Sequence, residues 1–192
     1  MSGVSWEQAA EALRGGAVVL IPTDTVYGLA VVPTIPGATQ QLFDLKRRGR
    51  DVPIAVLAAD EEQAFDLAAD PPPPAARELA ARHWPGGLTV VVERRPDWPG
   101  DVGEGSSVGL RCPDHEEVRA LCRVLGPLAT TSANLHGEPT AVTVEAAARS
   151  FPGVRFVDGG TLAGAASTVV DCRVDPPLVL REGAIAITDI GR

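Results

Sequence analysis

Ala17-Val18-Val19-Leu20-Ile21 runs straight into Pro22-Thr23-Asp24-Thr25-Val26-Tyr27-Gly28, and the join between these two halves decides the fold. A short apolar run rich in β-branched residues, closed by a proline, predicts a strand buried on both faces. The polar half then leaves the sheet as a loop where two hydroxyls, a carboxylate and a phenol converge. The margin of a sheet is where such folds commonly present ligand groups. The same residues also suit a plain turn in which Thr and Asp oxygens satisfy nearby backbone N–H groups.

Upstream, Ser5 with Gln8 forms a capping box, and Trp6, Ala9, Ala10 and Leu13 keep helical spacing until Gly15 and Gly16 stop the helix. Downstream, Gln40–Arg47 reads as a helix and Ile54–Ala58 as a second buried strand. Helices are expected over Glu61–Ala68 and Ala75–His83, separated by the stiff connector Pro71–Pro74. Strands are expected over Leu88–Glu93 and Val108–Arg111, followed by a helix that Asp114 and Glu117 would cap. Leu128–Thr131 is the next strand, Val144–Arg149 a helix, and Val154–Val157, Thr168–Cys172 and Leu178–Leu180 close the chain as strands. Alternation early and strands late predict an α/β (α+β) class with a twisted mixed β-sheet flanked by helices.

The chain has 192 residues, enough for one domain (1–192) with a real core and no need of disulfides or metal. Cys112, Cys122 and Cys172 fall in no CxxC arrangement, so reduced buried thiols are expected. No apolar run approaches the ~20 residues of a membrane span, and no secretory signal is visible, which makes the cytoplasm the expected compartment. A net charge of −8 argues against a surface that attracts RNA everywhere, so any anion site must be local. Lys46, Arg47, Arg48 and Arg50 place four cations in five residues against that sign. They are a candidate phosphate grip, although a solvated charge run would look the same. Thr130, Thr131, Ser132 and Asn134 after a strand offer small hydrogen-bonding groups to phosphate or ribose. Ser167–Asp171 and Leu180–Gly183 each set a polar group beside an apolar strand. No GxxxxGK[ST] loop, dinucleotide glycine fingerprint, HExxH or GxSxG is present.

Seven segments in order, PTDTVYG (22–28), KRRGRDVPI (46–54), WPGGLTVVV (84–92), VGLRCPDH (108–115), TTSANLHGEPT (130–140), STVVDCR (167–173) and LREGAI (180–185), resemble the YrdC-like threonylcarbamoyl-AMP synthase family, in a short form without an extra carboxy-terminal domain. The resemblance implies a concave, positively charged cavity. It also implies a reaction joining L-threonine, bicarbonate and ATP, with Mg²⁺ accompanying the nucleotide, to threonylcarbamoyl-AMP and pyrophosphate. A tRNA threonylcarbamoyl transferase complex would then use the product to modify tRNA adenosine.

On that pattern Thr25, Arg111, Thr130 and Ser167 match threonine contacts. Lys46, Arg48, Ser107, Ser132, Asn134, Thr140 and Arg181 match ATP contacts, with Lys46 and Arg48 as the catalytic cations. The chain departs at Gly49, where many relatives have proline, and at Leu57, where the family histidine would fall. Two other functions stay open: a non-catalytic double-stranded RNA or tRNA-binding module, and a related carbamoyltransferase that uses carbamoyl-adenylate for a different acceptor.

Overall fold

In the computed structural model, which describes residues 3–47, 49–52, 54–135 and 138–187, the chain order is α1 (Trp6–Arg14), β1 (Val19–Ile21), β2 (Gly28–Val31), α2 (Ala38–Lys46), β3 (Ala55–Leu57), α3 (Glu61–Phe65), α4 (Pro74–His83), β4 (Leu88–Glu93), β5 (Ser107–Arg111), α5 (Glu116–Leu125), β6 (Leu128–Ser132), α6 (Val144–Ser150), β7 (Arg155–Phe156), β8 (Thr168–Asp171) and β9 (Leu178–Arg181). The Ser5 capping box forms: its hydroxyl accepts from the Gln8 N–H at 3.3 Å and its own N–H donates to the Gln8 side chain at 3.0 Å. Pro74 sits in the first turn of α4, where its missing N–H costs nothing.

The nine strands of the described residues join one sheet in the order β7-β1-β2-β6-β3-β5-β4-β8-β9. Three pairs, β1–β7, β3–β5 and β4–β8, are parallel and the rest antiparallel, so the sheet is mixed as expected. Strand side chains alternate between faces, and the registers fix which residues share one. Val56 faces Leu110, Leu110 faces Val90, and Val90 faces Val170. That row, with Leu20 and Leu29, packs beneath α2 and α4 through Leu42, Phe43, Ala76 and Leu79. On the other face Val19, Ile21, Ala30, Leu57 and Leu128 pack against α1 and α5 through Leu13, Val118 and Leu121. These two helices cover only the β1–β2–β6–β3 part of their face. The remainder of that face is left open.

Two expectations are corrected. The polar loop after β1 is shorter than the sequence suggested, because Gly28–Val31 returns as β2 and pairs with both β1 and β6. The apolar run Leu29–Val32, ended by Pro33, is the signal that marks it. Asp114 does not cap α5. The cap residue is His115, which makes no side-chain cap bond, and Glu116 and Glu117 in the first turn complement the helix dipole instead.

At Gly28 a Cβ would stand 2.7 Å from the Thr130 side-chain methyl. Gly28→Ala is therefore expected to destabilise the fold by about 1–3 kcal/mol through overpacking. Urea unfolding reads this directly, and an unchanged midpoint would show that the β2–β6 contact has slack.

Candidate active site

The open part of the sheet face is a hollow of about 490 Å³. Its floor follows from the alternation just described. Thr130 and Ser132 on β6, Ser107, Gly109 and Arg111 on β5, Thr89 and Val91 on β4, and Ser167 and Val169 at β8 all project from the same face. Gly28, Ala55 and Gly109 put almost no side chain into the middle of this surface. The hollow exists because the sequence is small there and long at the margins. Three arginines, Arg111, Arg173 and Arg181, line it, and among the described lining residues there is no carboxylate.

Arg111 is the most constrained of them, at 6% exposure. Its Nε donates to the Gly86 carbonyl at 3.0 Å, Nη1 to the Thr25 hydroxyl at 2.9 Å and Nη2 to Asp24 at 2.6 Å. Burial pulls its pKa down, and the Asp24 carboxylate counters that. A guanidinium carries five N–H groups. With these three committed, two remain for a ligand. The loop between β1 and β2 is thereby joined to the far side of the hollow, and Thr23 bridges Thr25 and the Val26 carbonyl at 3.0 and 2.7 Å.

Arg181 donates to the Ser167 carbonyl at 2.7 Å through Nη2 and at 3.1 Å through Nε, and to the Ser167 hydroxyl at 3.1 Å. That hydroxyl also shares a 2.8 Å hydrogen bond with Thr89. No acid pairs with Arg181 among the described residues. Its pKa is lowered first by burial and then by the positive charge of Arg111, which places the two cations in one field. An acidic protein thus keeps a local positive pocket.

The basic run is dispersed rather than gathered. Lys46, in the last turn of α2, is 5% exposed, and its ammonium donates to the Ser132 carbonyl at 2.8 Å, the Asn134 side chain at 3.2 Å and the Asn134 carbonyl. Arg47 ends the helix in the left-handed region, exposed. Arg50 is taken up by Asp101 at 2.6 Å, Gln40 at 3.0 Å and the Phe43 ring beneath it. Arg48 lies outside the described residues. The expectation that all four cations grip phosphate is therefore corrected for Arg47 and Arg50: among the described residues of the run Lys46 is turned inward, Arg47 is exposed at the helix end and Arg50 is taken up by Asp101.

Of the other expected residues, Ser107, Thr130, Ser132, Ser167 and Arg181 line the hollow. Thr25 stands behind it on Arg111, and Asn134 is tied to Ser132 by a 2.7 Å hydrogen bond. Thr140, in the segment before α6, does not line it. Leu57 does, at the register position facing Arg111.

Sequence reasoning missed Thr89 and Arg173, and it set the Tyr27 phenol among the ligand groups of the loop rather than in the core. Thr89 is legible as the one polar residue within the apolar run Leu88–Val92. Tyr27 is fully buried, with its hydroxyl accepting from the Gly159 N–H at 2.8 Å and donating to the Gly160 carbonyl at 2.9 Å. It pins the 158–166 segment that leads into Ser167. Only tertiary contact reveals that role.

A mixed α/β sheet that opens a hydroxyl-lined, arginine-bearing hollow, with no acid among its described lining residues, has the charge and shape that suit a small polyanion. The chain belongs to the Sua5/YciO/YrdC family, whose model, described as telomere recombination, matches residues 11–183. It is 40% identical over 184 residues to the threonylcarbamoyl-AMP synthase of Bacillus subtilis, covering 93% of this chain and 53% of that protein. It is 38% identical over 187 residues to the putative threonylcarbamoyl-AMP synthase of Mycobacterium leprae, covering 95% of this chain and 84% of that one. The crystal structure of P. abyssi Sua5 complexed with L-threonine superposes with a TM-score of 0.87 at 36% identity, covering 93% of this chain and 54% of that one. The chain thus spans about half the length of the Bacillus and P. abyssi relatives. Among the described residues no helix is long and apolar enough to cross a membrane.

Proposed function

We propose that this protein is a threonylcarbamoyl-AMP synthase, condensing L-threonine, bicarbonate and ATP into threonylcarbamoyl-AMP and pyrophosphate. The observation that carries the proposal is Arg181, a cation with no acid partner among the described residues, held against Ser167 in the same hollow as Arg111. The names of the relatives and the threonine complex of P. abyssi Sua5 supply the substrate class.

Threonine binds at the Arg111 end. The two uncommitted N–H groups of Arg111 take its carboxylate, while the Thr130 and Ser167 hydroxyls orient the rest. Leu57 puts an apolar wall beside this carboxylate site, against which the threonine methyl packs. Bicarbonate takes up a proton and loses water to give carbon dioxide; the threonine amine adds to it, releasing a proton in turn, and one carbamate oxygen attacks the α-phosphate of ATP. The bond from the α-phosphorus to the bridging oxygen breaks, and pyrophosphate leaves. No covalent enzyme intermediate arises, so catalysis is positioning plus stabilisation of phosphate charge. Arg181 serves the α-phosphate, next to threonine. Lys46, Ser132 and Asn134 serve the outer phosphates, together with Arg48. Mg²⁺ enters as the counter-ion of the nucleotide. It would keep phosphate and water ligands, which suits a hollow whose described lining residues include hydroxyls and arginines but no carboxylate. The product passes, in the cytoplasm, to a transferase that modifies tRNA adenosine.

Purified protein with MgATP and bicarbonate is expected to release pyrophosphate and form an adenylated, label-bearing product only when labelled threonine is present. Pyrophosphate release that ignores threonine would favour carbamoyl transfer to a different acceptor. Silence in this assay combined with steeply salt-dependent RNA affinity would favour a binding module.

A further inference from the structure

Ser132, Ser107 and Arg173 stand at one level of the sheet. Ala55 faces Thr130, Val56 faces Leu110, Glu93 faces Ser107 and Val91 faces Asp171, so two further residues along β6 and β8 bring Ser132 and Arg173 level with Ser107. All three line the hollow. With β3 and β4 intervening, Ser107 is two strand spacings, about 10 Å, from each of the others. The row therefore runs from the Lys46–Asn134 cluster at one side to Arg173 at the other.

Of the three arginines in the hollow, Arg173 is held at both oxygens of a carboxylate, whereas Arg111 meets Asp24 through a single nitrogen and Arg181 meets no acid among the described residues. Its Nε and Nη2 meet the two oxygens of Asp171 at 2.9 and 2.7 Å, and Nη1 lies 3.8 Å from Glu93. The carboxylate holds the guanidinium in a flat fork and neutralises it, raising the pKa of Arg173 and lowering that of Asp171. A cation with an acid on one edge and another nearby is a poor phosphate site. What it offers is a fixed planar face, beside the apolar walls of Val91 and Val169. Ser107 adds a hydroxyl that makes no side-chain hydrogen bond among the described residues. A flat, largely apolar group with polar edges fits this end of the hollow.

The reach agrees. Arg181 is paired with Val169, four residues before Arg173, which is about 13 Å along the strand. The Arg173 side chain leans back over part of that distance. A nucleoside whose α-phosphate meets Arg181 extends its base this far, while its outer phosphates turn toward Lys46.

We infer that Arg173, held flat by Asp171, is the platform on which the nucleobase of ATP stacks, with Ser107 at the edge of the base or the ribose. This rests on the ATP-dependent reading proposed above. The motif containing Arg173 supplies no other role for it.

The experiment compares wild type, Arg173→Ala and Arg173→Lys in titrations with ATP and with inorganic tripolyphosphate, which has phosphates but no base. Losing the stacking contact is expected to weaken ATP about tenfold in Arg173→Ala. Arg173→Lys, which keeps the charge and the pairing with Asp171 but has no plane, should weaken it nearly as much. Tripolyphosphate affinity and the threonine KM should stay at wild-type values. Unchanged ATP affinity in both variants overturns the inference, as does a parallel loss of tripolyphosphate, which would make Arg173 a phosphate ligand. The wild-type assay for threonine-dependent pyrophosphate is run alongside. Its failure removes the synthase reading, whereas its success with unaltered ATP binding in the variants removes the Arg173 inference alone.

Discussion

Arg111→Ala is expected to raise the threonine KM by roughly two orders of magnitude and to lower stability by about 3 kcal/mol. Both effects have one source. Arg111 is buried, and three of its N–H groups are committed to Gly86, Thr25 and Asp24. Truncation removes the fork that would receive the threonine carboxylate. It also leaves Asp24, itself only 15% exposed, without its 2.6 Å partner, and that uncompensated charge is the costly part. Arg111→Lys separates the two effects. A lysine can meet Asp24 as a point charge and restore part of the stability, but it cannot supply the paired donors, so the KM should remain high. The readouts are threonine-dependent pyrophosphate release and urea unfolding on the same preparations. A folded Arg111→Ala protein with a wild-type KM would mean that the carboxylate is held elsewhere.

Lys46→Ala should slow turnover by about 30- to 1000-fold, the consequence of losing roughly 2–4 kcal/mol of charge stabilisation as pyrophosphate leaves. The structure adds a second reason. The ammonium donates to Ser132 and to both oxygens of Asn134, so the same residue holds the segment that carries two more expected nucleotide contacts. The loss should fall on kcat and on the ATP KM. The threonine KM should change little, since Arg111 and Ser167 lie at the opposite end of β5 and β8 from this cluster. Lys46→Met tests whether stem packing alone keeps the segment in place: retained stability with lost turnover assigns the effect to the charge. Unaltered threonine-dependent exchange between ATP and pyrophosphate would remove Lys46 from the chemistry.

Much of the architecture was legible in local signals. The Ser5–Gln8 box, the Leu88–Glu93 run and the Gly15–Gly16 stop each act over a few residues, so their structures follow from neighbours in sequence. The residues that the motif order singled out, Ser107, Arg111, Thr130, Ser132, Ser167 and Arg181, line one hollow. The four cations from Lys46 to Arg50 were misleading for a physical reason. The helix ends at Lys46, which turns inward, while Arg50 lies in the following turn and is drawn to Asp101, 51 positions away.

By itself the sequence determined most of the segments that become strands and helices, β2 excepted, the acidic overall charge, and which polar side chains stand at strand margins. It could not determine which face of each strand becomes the hollow, because runs such as Leu88–Glu93 are apolar at nearly every position and conceal their alternation. Strand register settled that, and register depends on pairings between residues as far apart as Leu88 and Thr168. Tertiary structure alone therefore placed Asp24 behind Arg111, Tyr27 beneath the 158–166 segment and Arg173 level with Ser107. Such contacts arise only once the strands have paired in register.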